Sequence, residues 1–242
     1  MMAWVESGGR VHVLDLDPSL AQGVPAAEHD QARQRAVARG LGIYATHLRP
    51  VDLSASTPDG TLGLLVADGL LLRRVTVASR TTGELFGPGD VVRPDDDDVV
   101  PYAPLTIAVD WLVLEPAHVA VLDQDFLGRV ARWPSIAAAI VRRVADRGGR
   151  LALRAAVAHL SRADTRLLLM FWLLANRWGT VTTDGVRLEL PLTHEVLAML
   201  VGNQRPTITL ALHKLAEQEL LIRHSSADWL LTSKAVHVLG RA

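Results

Sequence analysis

The 242-residue sequence predicts an α+β chain: a β-rich front half, one long helix, and a C-terminal winged helix-turn-helix. Three observations carry this. Short β-rich pieces recur from Ile43 to Leu122, separated by turn signals. Turn punctuation then stops, and a helical stretch opens at Pro134 and runs towards Leu160. Finally, Leu192 to Arg223 holds two short amphipathic segments joined by a tight turn, followed by two apolar runs flanking a polar gap.

Composition sets the outer bounds. Apolar content of 49% and charged content of 21% describe a folded globular chain. Its length allows two domains with their own cores. The longest apolar run, Leu167 to Ala175, is well short of the about 18 residues that a membrane span needs. The N-terminus shows no basic stretch ahead of a long apolar core, so the expected location is the cytoplasm, with no membrane partner. The absence of cysteine excludes disulfides, thiolate metal sites and cysteine nucleophiles. Charge is unevenly spread. Residues 1–130 carry 10 basic and 18 acidic side chains, residues 131–160 carry 6 and 1, and residues 161–242 carry 9 and 7. The back half is therefore the part suited to phosphates.

In chain order, residues 1–22 alternate weakly (Val11, Val13, Leu14, Leu16) and predict one or two short strands. Ala26 to Arg39 predicts an exposed or partly packed helix. Strands are then expected at Ile43–Leu48, Leu62–Ala67, Leu70–Val77, Gly83–Phe86, Val91–Val92, Leu105–Leu114 and Ala117–Leu122. They are divided by Pro58-Asp59-Gly60, Asp68-Gly69, Thr81-Thr82-Gly83, Gly87-Pro88-Gly89-Asp90 and Glu115-Pro116. Such spacing predicts a β-sandwich or small barrel. Asp68-Gly69, between two apolar runs, is its strongest hairpin signal. Asp95 to Asp98 is a charge run without the interleaved glycine of a calcium loop, and is expected to be a solvated loop.

In the 134–160 stretch, Ala137, Val141, Val144, Gly148, Leu151, Ala155 and Ala158 recur at alternating spacings of 4 and 3. This is a heptad seam of mostly small residues, expected to be a dimer axis. Gly148-Gly149 is its weak point, at about 1 kcal/mol per glycine relative to alanine. Ser161 is the expected cap and breaker before a second apolar helix, Ala163 to Trp178, which Gly179 ends. Val181–Thr183 and Val186–Leu190 around Asp184-Gly185 read as a small hairpin, and Ser233 to Leu239 as a closing helix.

Within Leu192–Arg223, Val196, Leu197 and Leu200 form one apolar face, and Gly202 supplies the turn. Pro206 sits in a first helical turn, where its missing N–H costs nothing. Ile208, Ala211, Leu212 and Leu215 give the buried face of the second helix. Its other face carries Arg205, Thr207, Thr209, His213 and Lys214, a polar and mildly basic surface of the kind that enters a major groove. The runs Leu220–Arg223 and Trp229–Leu231 flank His224 to Asp228 and predict the wing.

Enzyme chemistry finds no foothold. No two histidines sit four apart with an intervening glutamate, and the position four after His194 is Ala198. No G-x-S-x-G elbow, phosphate loop or dinucleotide fingerprint is present. Lone histidines such as His47, His118 and His159 are expected at the surface or satisfied in the core. No metal site and no catalytic residue are expected.

The order of β-sandwich, long helix and winged helix-turn-helix resembles the Crp/Fnr superfamily of transcription regulators. The segment V-G-N-Q-R-P-T-I-T-L-A-L (residues 201–212) is similar to that family's V-G-x-S-R-E-T-V-x-R-x-L. Gly87-Pro88-Gly89-Asp90-Val91 is similar to its x-x-G-D-hydrophobic turn, with Leu64–Arg73 before it. The resemblance implies a cyclic-nucleotide-binding-like β-roll or jelly-roll sensor domain (1–130), a dimerisation helix (131–160) and a winged helix-turn-helix DNA-binding domain (161–242). It also implies a homodimer on double-stranded DNA, with RNA polymerase as a further candidate partner. The residues it places at DNA are Thr193, Asn203, Gln204, Arg205, Pro206, Thr207, Thr209, His213 and Lys214.

Two departures stand out. Arg205 and Thr207 match the family segment, whereas Pro206 replaces its glutamate and Leu210 its second arginine, so a different DNA site is expected. After Gly89-Asp90 the chain reads Val91-Val92-Arg93-Pro94 and then the aspartates, with neither the Gly-Glu nor the Arg-Ser of a cyclic-nucleotide cassette. Cyclic AMP is not expected to bind, no cofactor is expected, and the missing cysteines exclude an iron–sulfur sensor. Two rival functions remain: a winged-helix module that docks protein, and a cupin-like enzyme. The second would need a clustered His/Glu set in residues 43–122, where the only histidines are His47 and His118 and no H-x-H pair occurs.

Overall fold

The computed structural model describes residues 4–44, 50–54, 57, 60–94 and 107–239. The aspartate run 95–98, His47, Pro58-Asp59 and the ends of two expected strands (45–48 and 105–106) lie outside them. The chain forms two compact units, one of residues 1–78 and 84–149, the other of residues 79–83 and 150–242.

The first unit is built on an antiparallel sheet of β1 (Trp4–His12), β2 (Val37–Tyr44), β3 (Pro50–Val51), β4 (Leu64–Val77), β5 (Arg80–Phe86), β6 (Val91–Val92) and β7 (Ile107–Val121). The main path runs β1-β2-β7-β4-β5, with β3 on β7 and β6 on β4. Residues alternate between its two faces. Leu41, Ile43, Leu64, Leu71, Phe86, Val92, Trp111, Val119 and Val121 bury one core. Phe86 and Trp111 meet there in a tilted contact with centroids 5.2 Å apart. Ala38, Leu65 and Ala120 point to the other face, which helices cover: α1 (Val13–Leu16), α2 (His29–Arg35), α3 (Gln124–Val130) and the start of α4 (Pro134–Ala158).

Several elements differ from the sequence expectation. Asp68-Gly69 makes no hairpin, and Glu115-Pro116 does not divide two strands. Each lies inside a long strand, and the β4–β7 register shifts where they face each other. Asp68 Oδ1 accepts from the His118 backbone N–H (3.2 Å) and lies 2.8 Å from His118 Nδ1, closing the irregularity. Gly69 has φ +81°, and a Cβ there would lie 2.1 Å from the Pro116 carbonyl oxygen. The glycine serves a close backbone approach within a bulge. The true hairpin turn is Ala78-Ser79, with Ala78 at φ +53°, so Thr81-Thr82-Gly83 belongs to β5. The expected helix to Arg39 ends at Arg35, because Val37 onward pairs with β1, and Arg39 onward also with β7. In the front 22 residues, β1 is followed by α1 and a 3₁₀ turn, Pro18–Ala21.

Gly87–Asp90 is the tight turn its composition predicts. Asp90 N–H donates to the Gly87 carbonyl (3.0 Å), and buried Asp90 Oδ2 accepts from Gly87 N–H (2.9 Å). Arg143 of α4 donates to the Gly89 carbonyl and pairs with Asp17. Ile136 and Ile140 are buried on the same side of α4, and Arg147 grips Glu84 at 2.8 and 2.9 Å. Val141, on the far side of the helix, is 54% exposed, and towards its C-terminal end Leu151 is 40% and Leu153 49% exposed. Within the chain, Gly148 and Gly149 have nothing within 4 Å of a would-be Cβ.

The second unit holds the end of α4 and α5 (Ala163–Trp178), then β8 (Thr180–Thr182) and β9 (Gly185–Glu189). After them come α6 (His194–Val201), α7 (Arg205–Glu217), β10 (Leu221–Arg223), β11 (Asp228–Thr232) and α8 (Ser233–Leu239). The four strands pair in the order β10-β11-β9-β8. Leu167, Phe171 and Leu174 of α5 share a core with Val196, Leu197, Ile208, Leu215 and Trp229. Arg162, not Ser161, occupies the cap position of α5. Among the described residues no helix is long and apolar enough to cross a membrane.

Candidate nucleic-acid interface

The helix pair is fixed at each end by local chemistry. Thr193 caps α6, its Oγ1 accepting from Val196 N–H (3.2 Å), and all residues from Val196 to Val201 are buried. Gly202 adopts the left-handed conformation (φ +66°), which lets Asn203 N–H donate back to the Ala198 carbonyl (2.9 Å). The chain then re-enters a helix at Arg205, with Pro206 in its first turn. Ile208, Ala211 and Leu215 seat α7 on the core.

This burial turns a continuous strip of α7 outward. Arg205, Pro206, Thr209, Leu210, His213 and Lys214 are exposed, and Thr207 is half-buried. Leu210 is 72% exposed. Thr209 donates its hydroxyl proton to the Arg205 carbonyl (3.2 Å). Because that proton is spent, the 2.9 Å contact with His194 requires His194 Nδ1–H to donate to Thr209 Oγ1. His194 Nε2 is then left as the acceptor of the neutral ring. Burial, followed by the charges of Arg223 and Arg205, pushes the His194 pKa below its usual value.

Lys214 is less available than the sequence implies. Its ammonium is 2.6 Å from buried Asp164, which also takes Arg162 at 2.7 and 3.2 Å and Thr165 N–H at 3.0 Å. The Arg162 guanidinium, then Lys214 and the Thr165 N–H, hold the Asp164 carboxyl well below the ordinary carboxylate range. On the wing, Arg223 lies over the Trp229 ring, 4.7 Å from its centroid, and donates to Ser225 O (2.9 Å). Arg187 and Asp228 form a two-bond pair at 2.9 and 2.8 Å that joins the hairpin to the wing.

Of the nine residues expected at DNA, Arg205, Pro206, Thr209, His213 and Lys214 share the outward strip. Gln204 is exposed at the cap position of α7, and Thr193 is exposed while serving as the α6 cap. Asn203 turns inward: it is half-buried, and its Nδ2 has no hydrogen-bond partner among the described residues. Two residues that the sequence reading did not select, His194 and Arg223, stand with this group. Their signals were present but weak: a histidine directly after a capping threonine, and an arginine ending a wing strand.

The comparisons with known proteins agree with this geometry. Residues 165–233 match the Crp-like helix-turn-helix domain. No curated protein matches the sequence. Among solved structures, a cyclic nucleotide-binding domain containing protein from Listeria monocytogenes EGD-e is similar over 90% of this chain and 98% of its own, at 16% identity and TM-score 0.62. A CooA mutant from Carboxydothermus hydrogenoformans aligns over 83% of this chain and 87% of its own, at 18% identity and TM-score 0.59. A transcriptional regulator of the CRP/FNR family from Thermus thermophilus aligns over 84% and 98%, at 15% identity and TM-score 0.55. At these identities the likeness shows the fold. The chain shares the fold of these structures, and its residues 165–233 resemble the Crp-like helix-turn-helix domain.

Proposed function

We propose that the protein is a homodimeric, sequence-specific DNA-binding transcription regulator of the Crp/Fnr type, acting in the cytoplasm and not as an enzyme. The observation that carries this reading is the exposed first turn of α7. There Arg205 stands clear of the core at the start of a helix seated by Ile208, Ala211 and Leu215. A guanidinium so placed reaches guanine O6 and N7 with two donors, while Thr207 and Lys214 approach phosphates. His194 and Arg223 extend the same surface.

Two copies pair along α4 through Ala137, Val141, Val144, Gly148, Leu151, Ala155 and Ala158. The exposure of Val141 and Leu151 supports this. Pairing sets two recognition helices against half-sites about one DNA turn apart. The β-domain is the sensor, acting through that helix, and RNA polymerase is the partner for activation. Cyclic AMP is not its effector: the segment after Gly89 carries no phosphate clamp, and Asp90 is spent inside its own turn. Millimolar cyclic AMP is therefore expected to leave the melting temperature unchanged. Stabilisation near 2.7 kcal/mol, which corresponds to about a hundredfold excess over Kd, overturns that part.

The deciding experiment is selection of DNA from a random pool by the purified protein, followed by a salt titration on the enriched site. Groove binding requires an enriched palindromic site and an affinity that falls steeply with salt as counterions are released. A winged helix that docks protein instead enriches nothing.

A further inference from the structure

We infer that Leu210 reads a base: its side chain packs on the 5-methyl group of a thymine in the major groove and makes the recognition helix selective for thymine at one position in each half-site. The inference rests on the DNA-binding reading above and adds a specificity determinant to it.

The geometry of α7 fixes which side chains face a groove. Successive side chains are about 100° apart around a helix. Ile208, Ala211 and Leu215 fix the inward direction. Pro206, Thr209, Leu210 and His213 then fall within about 50° of the opposite direction, and Arg205 and Lys214 lie roughly a quarter-turn to either side. The band that faces a groove floor thus carries Pro206 and Leu210 beside Thr209 and His213, two apolar side chains where an interface dominated by hydrogen bonds would place donors. Thr209 has its proton committed to the Arg205 carbonyl. The flanks, by contrast, are cationic.

Leu210 has no part in holding the domain together. It is 72% exposed, and the inward stripe packs without it. Isolated surface leucines are ordinary, so exposure alone assigns nothing. Position does: this leucine is near the centre of the strip that carries Arg205, with Pro206 one turn before it and His213 one turn after. In the major groove adenine, guanine and cytosine present polar atoms, whereas thymine adds an apolar methyl group. A leucine against any of the first three strips water from a polar edge and returns no hydrogen bond. Against thymine it buries two apolar surfaces. Arg205 with Leu210 therefore forms a two-part reading head, one part for guanine by hydrogen bonds and one for thymine by apolar contact.

The test uses the full-length protein and the DNA site enriched from the random pool. Each thymine of one half-site is replaced singly by deoxyuridine, which removes only the methyl group. One position is expected to weaken binding about fourfold, the worth of one buried methyl. In Leu210→Ala, whose helix and melting temperature are expected to be retained because alanine is the best helix former, that same substitution has no effect. Leu210→Arg is expected to move the preference at that position from thymine to guanine. If no thymine is methyl-sensitive, or if sensitivity persists in Leu210→Ala, the inference is overturned while the DNA-binding reading stands. Absence of any salt-dependent DNA binding removes both, and leaves Leu210 as a surface or protein-contact leucine.

Discussion

His194 Nδ1–H donates to Thr209 Oγ1 over 2.9 Å, joining the first residue of α6 to the outward strip of α7. The bond locks the ring tautomer, and burial with Arg223 and Arg205 lowers the pKa. Between that lowered value and about 6.5, the unfolded chain binds more protons than the folded one. Stability should therefore rise with pH across this window, and on acidification it is lost within the window and levels off below it. Urea unfolding of the wild type and His194→Gln at a series of pH values checks this. The variant is expected to show the flatter slope, and equal slopes would refute the assignment.

Gly69 and Gly128 offer a contrast. Gly69→Ala forces a side chain into φ +81° and onto the Pro116 carbonyl. The strain should cost at least about 2 kcal/mol. Gly128 lies inside α3 with open space around a would-be Cβ, so Gly128→Ala should stabilise by about 1 kcal/mol. Thermal or urea denaturation of both variants measures the difference in sign.

The dimer reading turns on Val141 and Leu151. Both are exposed in the single chain, so a glutamate at either leaves the fold of one copy undisturbed. Val144 is a poorer probe because it leans on the core of the first unit. Val141→Glu and Leu151→Glu are expected to sediment as monomers and to lose tight operator binding. A wild-type protein that sediments as a monomer at micromolar concentration would show that α4 is not a dimer axis.

For Arg205, alanine substitution should cost about 1–3 kcal/mol on the specific site and relax the preference at one base pair per half-site. Arg205→Lys keeps the charge but loses the fork, so it should retain phosphate attraction and lose most of the specificity. Near-normal binding by Arg205→Lys with an unchanged preferred sequence would reduce Arg205 to a phosphate contact. Lys214→Ala should weaken all sequences alike, and it also releases Asp164, so its melting temperature must be measured beside its affinity.

Local chemistry governs the features that are legible in the chain alone. The apolar period of Val196–Leu200 and Ile208–Leu215, the Gly202 turn and the Pro206 start define both helices within a few residues of chain. The Gly87–Asp90 turn and the long helix opening at Pro134 are legible for the same reason. Long-range contacts settle the rest. Asp68-Gly69 has the composition of a hairpin, yet becomes a bulge because its partner is His118, fifty residues away. Val37–Arg39 has helical neighbours, but it pairs as a strand because β1 lies beside it and β7 meets it at Arg39. Lys214 carries a phosphate-seeking charge in the sequence and an ion pair with Asp164 in the fold. His194 and Arg223 join the recognition surface only when α6, α7 and the wing are brought together. Turn and helix signals act over a single turn of chain, whereas register, ion pairing and the company a side chain keeps depend on residues that only folding makes neighbours.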